Sequence, residues 1–188
     1  MPVAFLDACC LVSLLKRELC LAVAEAGLCR LVWSRRVLDE TEWATARVLS
    51  MREGLAPEEA AARAAALRCN LEAAHPGAMV PDELISLEGG PKVRDPDDRH
   101  VVAGAMAAKA ALIVTENLRD FPRRKLAAVG LGVMSTDAFL ASLFDAEPEK
   151  AAQAVDAVRQ RLDGGVLRNP YPVALAQAGL RLLAKRIG

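Results

Sequence analysis

The sequence predicts an α/β fold: a central, mostly parallel sheet with helices on both faces, followed by a C-terminal helical tail. Three observations lead there. Short apolar runs alternate with longer helical stretches, and no two neighbouring runs are joined by a tight hairpin signal. The opening run, Val3-Ala4-Phe5-Leu6, is continuous rather than alternating, as in a strand covered on both faces. The composition is 53% hydrophobic but only 4% aromatic, rich in Ala and Leu, which suits helices packed closely on a sheet better than a β-sandwich. At 188 residues the length fits one domain with an appended element, divided here as 1–145 and 146–188.

After the first strand, a helix is expected from Ala8 towards Ala26-Gly27, where the glycine is a natural stop. Leu31-Val32-Trp33 reads as the second strand. Ser34 then fits an N-cap for a helix with Val37, Leu38, Thr41, Thr45, Val48 and Leu49 on one face, running to about Ser50. Pro57 with Glu58-Glu59 opens the next helix, which His75-Pro76-Gly77 breaks. Residues 79–87 read as a short strand or turn and 88–98 as a loop. A helix to about Lys109, the strand Ala111–Thr115, a short helix around 122–128 and a strand near Val133 follow. Thr136 can cap a last core helix ending near Phe144. Beyond Pro148 the chain offers no strand. Helices at 149–162 and 173–186 are joined by Gly164-Gly165 and the breaker Asn169-Pro170-Tyr171-Pro172, and they must pack on the core or on a partner.

Composition also narrows the function. The five cysteines (Cys9, Cys10, Cys20, Cys29, Cys69) include no Cys-x-x-Cys pair, and the two histidines lie far from them, so no zinc site is expected. Asp7 and Lys16-Arg17 interrupt the apolar opening, which argues against a signal peptide. No apolar run approaches the ~20 residues a membrane span needs. A cytoplasmic, reducing location is the expectation. Formal net charge is zero, so any nucleic-acid binding must use local basic patches such as Lys16-Arg17, Arg35-Arg36 and Arg119 with Arg123-Arg124-Lys125.

The acids carry the chemistry. Asp7 ends the first strand, Asp97 and Asp98 stand just ahead of a helix, Asp120 follows a strand by one short loop, and Glu40 lies early in a helix. In a parallel sheet, ligands collect outside the carboxyl ends of the strands. Carboxylates gathered there repel one another unless a cation neutralises them, and oxygen-only donors suit Mg²⁺ or Mn²⁺. The pattern reads as a divalent-metal phosphodiesterase. Plainer roles stand beside this one. Asp7 and Asp98 also suit N-caps, Asp120 a turn, and Asp95 or Asp97 can substitute for Asp98. Glu40 and Glu42 both lie at the edge of their helix's apolar stripe, whereas Asp39 points away from it. Trp43 lies nearly opposite that stripe, where it can anchor a partner or be covered by the 57–74 helix or the tail.

Other chemistries fit less well. Gly89-Gly90-Pro91-Lys92 lacks the spacing and hydroxyl of a phosphate-binding loop. Asp7 is followed by Ala8-Cys9, not by the second aspartate of a haloacid-dehalogenase-like phosphatase. A nucleophilic Cys9 or Cys10 needs a base from His75 or His100, and His100 reads as a packing or surface residue.

Four segments together resemble the PIN-domain family, similar to the VapC-type toxins of bacterial toxin–antitoxin operons. They are Phe5-Leu6-Asp7-Ala8, Ser34 to Glu40, Asp95-Pro96-Asp97-Asp98-Arg99-His100-Val101-Val102-Ala103, and Val114-Thr115-Glu116-Asn117-Leu118-Arg119-Asp120-Phe121-Pro122. They occur in family order over roughly residues 3–142. The resemblance implies a PIN-like three-layer fold and places the family's acids on Asp7, Glu40, Asp98 and Asp120, with Asp98 preferred over Asp97. Asp7, Asp98 and Asp120 become the metal ligands, and Thr115 and Asn117 the polar residues beside them. Cys9 departs from the Asn or Ser frequent at its position. Arg168-Asn169-Pro170 and the following helix resemble tails in one branch of the family. The implied activity is Mg²⁺- or Mn²⁺-dependent cleavage of RNA by a toxin held by a cognate antitoxin, with a homodimer as a further expectation. A PIN-like RNA-processing or DNA-acting nuclease, or a catalytically silent binding module, are the alternatives.

Overall fold

The computed structural model describes residues 1–162, 167 and 169–187, so the Gly164-Gly165 joint and Arg168 lie outside the described residues. Five parallel strands form the sheet: β1 (Val3–Leu6), β2 (Arg30–Ser34), β3 (Met79–Val80), β4 (Leu112–Val114) and β5 (Gly132–Met134). Their order is β3-β2-β1-β4-β5, with β1 in the centre. Ala4 pairs in register with Leu31 on one side and with Leu112 on the other. Parallel neighbours require crossovers, and these are helical, so the sheet is covered on both faces. The chain moves outward from β1 to β2 and β3, then returns to β4 on the far side of β1. That reversal makes the space above β1 and β4 the topological switch point.

The helix expected from Ala8 to Gly27 is two helices, α1 (Ala8–Val12) and α2 (Leu14–Glu25). Ser13 between them is extended, and Arg17 Nη1 donates to the Leu11 carbonyl at 2.7 Å, supplying a partner at the broken turn. Next come α3 (Arg35–Glu53) and α4 (Pro57–Ala74), packed side by side. Ser34 accepts from Val37 N, and Gly54 ends α3 in the left-handed conformation (φ 72°). Residues 81–98 form no strand, but they make two 3₁₀ turns, Asp82–Leu84 and Pro96–Asp98, the second leading into α5 (Arg99–Ala107). Short α6 (Arg123–Ala127) precedes β5.

α7 (Thr136–Ala146) begins one residue differently from expectation. Ser135 is the cap, accepting from Ala138 N, while Thr136 is buried and donates to Cys10 Sγ at 3.3 Å. The tail is α8 (Pro148–Leu162), α9 (Tyr171–Gln177) and α10 (Arg181–Ile187). The single helix expected over 173–186 breaks at Gly179, which sits at φ 83°. α8 packs on α2 and α7, and α10 on α7, where Asp137 accepts from Leu182 N and Leu183 N at the start of α10. The core joins β1, β2 and β4 to Leu11, Leu19, Val37, Val101, Phe121 and Phe139, and reaches Val155 and Leu175 in the tail.

Candidate active site

Asp7 is set by the end of β1, Asp120 by the loop after β4, Asp98 by the turn ahead of α5, and Glu40 by α3. Asp7 follows β1 directly, its N–H bonded to the Val114 carbonyl, and its Oδ1 accepts from Ala8 N at 2.7 Å. The other oxygen, Oδ2, accepts from Thr115 Oγ1 at 2.6 Å, across the β1–β4 boundary. Thr115 Oγ1 in turn accepts from Asn117 N at 3.0 Å, and Asn117 Nδ2 donates to Asp98 Oδ2 at 3.2 Å. Asp120 N donates to the Asn117 carbonyl, and Arg94 N donates to the Asp120 carbonyl, so backbone bonds pin that loop. A continuous chain of polar contacts therefore runs from Asp7 through Thr115 and Asn117 to Asp98.

Electrostatics show the acids gathered. Burial first, then the charges of Asp7, Asp95 and Asp120, push the Asp98 carboxyl up to about 6. Asp95 joins the cluster and also accepts from Asp97 N at 3.0 Å, shaping the turn that presents Asp98. An all-oxygen donor set whose members repel one another fits a hard divalent cation. Among the described residues, no three His, Cys, Asp or Glu side chains close into a ready chelating cluster.

Glu40 is placed differently. Its Oε1 accepts from Arg36 Nε at 3.3 Å and faces His100 Nε2 at 2.9 Å. Burial works to raise its carboxyl, but the bonds and charges of His100 and Arg36 outweigh that and hold it below the ordinary value. Glu42, the other stripe-edge acid, pairs with Arg68 of α4, as does the exposed Asp39. Trp43 is 65% exposed, with Arg47 stacked over its ring.

Sequence reasoning missed three contributors. His100 is buried, and its imidazole joins α5 to Glu40. The two lie 60 positions apart, and no local signal links them. Glu116 Oε2 pairs with the nearly buried Lys16 at 2.9 Å while Oε1 accepts from Thr136 N, so the Thr115–Asn117 loop is clamped to α2 and α7. Cys9 is half-buried and polar in its contacts: its Sγ donates to Asp7 Oδ2 at 3.1 Å and accepts from Glu116 N. The sulfur thus bonds to Asp7 and to the Glu116 backbone where a smaller polar side chain would serve.

A parallel sheet with acids at its switch point puts carboxylates where open α/β sheets bind their ligands. The PIN domain family model matches residues 3–119, well over half of the chain, and the chain belongs to that family. The match stops one residue short of Asp120. PIN domains are generally nucleases and typically use divalent metals. No curated protein and no solved structure matched the chain. Among the described residues no helix is long and apolar enough to cross a membrane.

Proposed function

We propose that the chain is a metal-dependent endoribonuclease that acts as the VapC-type toxin of a toxin–antitoxin pair. The observation that carries the nuclease reading is the run of hydrogen bonds from Asp7 through Thr115 and Asn117 to Asp98, which gathers carboxylates in the switch-point cleft. Asp7, Asp98 and Asp120 would hold Mg²⁺ or Mn²⁺. Such an ion, when bound, polarises a phosphodiester and makes water a better nucleophile. Thr115 and Asn117 hold the Asp7 and Asp98 carboxylates in place by hydrogen bonds. Glu40 accepts a proton from, or orients, the attacking water. Arg94, Arg119, Arg123, Arg124 and Lys125 are exposed and make no ion pair among the described residues, so they are free to take the phosphates that flank the scissile bond.

The toxin role rests on the resemblance of the four motif segments. In it a small antitoxin covers the acidic cleft with a basic side chain. The test is cleavage of RNA by purified protein, followed by sequencing of the new ends. Asp7→Asn, Asp98→Asn and Asp120→Asn should each abolish cleavage while the fold is kept, and excess EDTA should do the same. Undiminished cleavage in all three variants would overturn the metal-site reading. Expression that leaves bacterial growth untouched, with folded protein present, would overturn the toxin role and favour a nuclease outside such systems. Binding without cleavage in Mg²⁺ and Mn²⁺ would favour a silent binding module.

A further inference from the structure

We infer that His100 is a positioning residue for Glu40, holding that carboxylate by one oxygen and fixing it against the Asp97–Asp98 turn. The inference rests on the reading above in which Glu40 takes part in catalysis.

Glu40 sits on α3 and is only half-buried, so its flexible side chain would otherwise sample several rotamers. Two donors remove that freedom, and both use the same oxygen. Arg36 Nε lies 3.3 Å and His100 Nε2 2.9 Å from Oε1. Oε2 has no protein partner among the described residues. A carboxylate clamped at one oxygen and open at the other is oriented to receive a proton or a water.

His100 itself is 4% exposed, and its Nδ1 has no partner in the structure. Its ring therefore makes one polar bond, and that bond goes to Glu40. Because the acceptor is a carboxylate, the hydrogen between the two lies on Nε2. An apolar side chain would fill the same space without leaving a buried polar atom unsatisfied, so packing alone does not explain an imidazole here. What the ring supplies is a donor at a fixed point on α5, two residues after Asp98. Arg36 Nη2 also reaches the Asp97 carbonyl at a long 3.5 Å. α3 is thus tied to this turn on both sides of Asp98, through Arg36 before it and through Glu40 and His100 after it.

The test is a double-mutant cycle on the purified, metal-loaded nuclease, with kcat and KM measured separately. His100→Leu should lower kcat about 10- to 100-fold, the usual loss when a hydrogen-bond partner of a site group is removed. KM should stay within about twofold, and the melting temperature should hold or rise because the orphaned nitrogen is gone. His100→Gln, whose amide can donate to the same oxygen, should recover part of the loss. In a Glu40→Gln background, His100→Leu should cause no further loss. Losses that multiply instead would make His100 a structural residue and overturn the proposal. Wild-type activity in Glu40→Gln would remove the catalytic role of Glu40 and the proposal with it; impairment in Glu40→Gln with full activity in His100→Leu would overturn the proposal alone. A spectroscopic readout stands apart from turnover. ¹⁵N spectra should show the His100 hydrogen on Nε2, with a signal that shifts in Glu40→Gln and not in Asp120→Asn. A hydrogen on Nδ1 with none on Nε2 would overturn the assignment.

Discussion

Asp98 gathers several effects in one side chain. Its carboxyl stands near 6, raised by burial and by the charges of Asp7, Asp95 and Asp120. In the unfolded chain it titrates near the ordinary carboxylate value, so between about pH 4 and 6 the folded state holds the extra proton. Stability from this group therefore falls as pH rises through that window, and the penalty is complete above about 6. In metal-free protein, Asp98→Asn should be more stable than wild type at pH 8 by about 1 kcal/mol, a figure reduced for solvent screening. The gain should vanish at pH 3.5. Thermal melts at the two pH values check this, and an equal gain at both would show that charge is not the cause. Added Mn²⁺ should raise the wild-type melting temperature more than that of the variant. The acids could be found in the sequence because Asp7 ends an apolar run, Asp98 precedes a helix, Asp120 follows a strand by one loop and Glu40 lies early in a capped helix. The Asp7–Thr115 and Glu40–His100 bonds could not, since each joins segments that only the folded sheet brings together.

At the level of elements, a close approach between Gly104 and Phe5 seats α5 on the sheet. A Cβ on Gly104 would stand 2.6 Å from two ring carbons of Phe5, which is fully buried in β1. Gly104→Ala gains about 1 kcal/mol of helix propensity, yet the trapped ring cannot swing aside, and overpacking costs about 1–3 kcal/mol. The clash wins, so the variant should melt lower, and nuclease activity should fall because α5 carries Asp98 and His100 at its start. A variant as stable and active as wild type would show that the ring can yield. Strand and helix types were legible from apolar runs, caps and breakers: Ser34, Pro57 and His75-Pro76 all mark true boundaries. The breaks at Ser13 and Gly179 were not, because apolar periodicity continues across both. The first depends on Arg17 reaching back to Leu11, and the second on a left-handed glycine.

At the scale of the whole molecule, the outward face of α3 stands apart from the core. Trp43 is 65% and Met51 72% exposed, with Arg47 between them touching both. We propose that this row contacts the antitoxin or a second copy of the chain. Trp43→Ala should weaken that association by more than about 1 kcal/mol and leave the melting temperature nearly unchanged, because little of the ring is buried. Sedimentation for self-association, and titration with the product of the adjacent gene, measure the two cases. A large loss of stability with unaltered affinity would place the ring in internal packing. The tail is joined to the nuclease body by Asp137 at the start of α10 and by the Arg186–Asp145 pair. The sequence foresaw a helical tail in need of a surface, but not that α2 and α7 supply it.

The central strand also comes before the other four in chain order. β1 precedes its hydrogen-bonding partner β4, and Asp7 precedes the hydroxyl that steadies it by 108 positions. Long-range parallel pairing is slow and must close a large loop before it is rewarded. A chain still on the ribosome therefore carries Asp7 without Asp98, Asp120 or the loop that binds them together. This is a delay built into topology: the cleft cannot assemble until the chain through Asp120 is free to fold back onto β1.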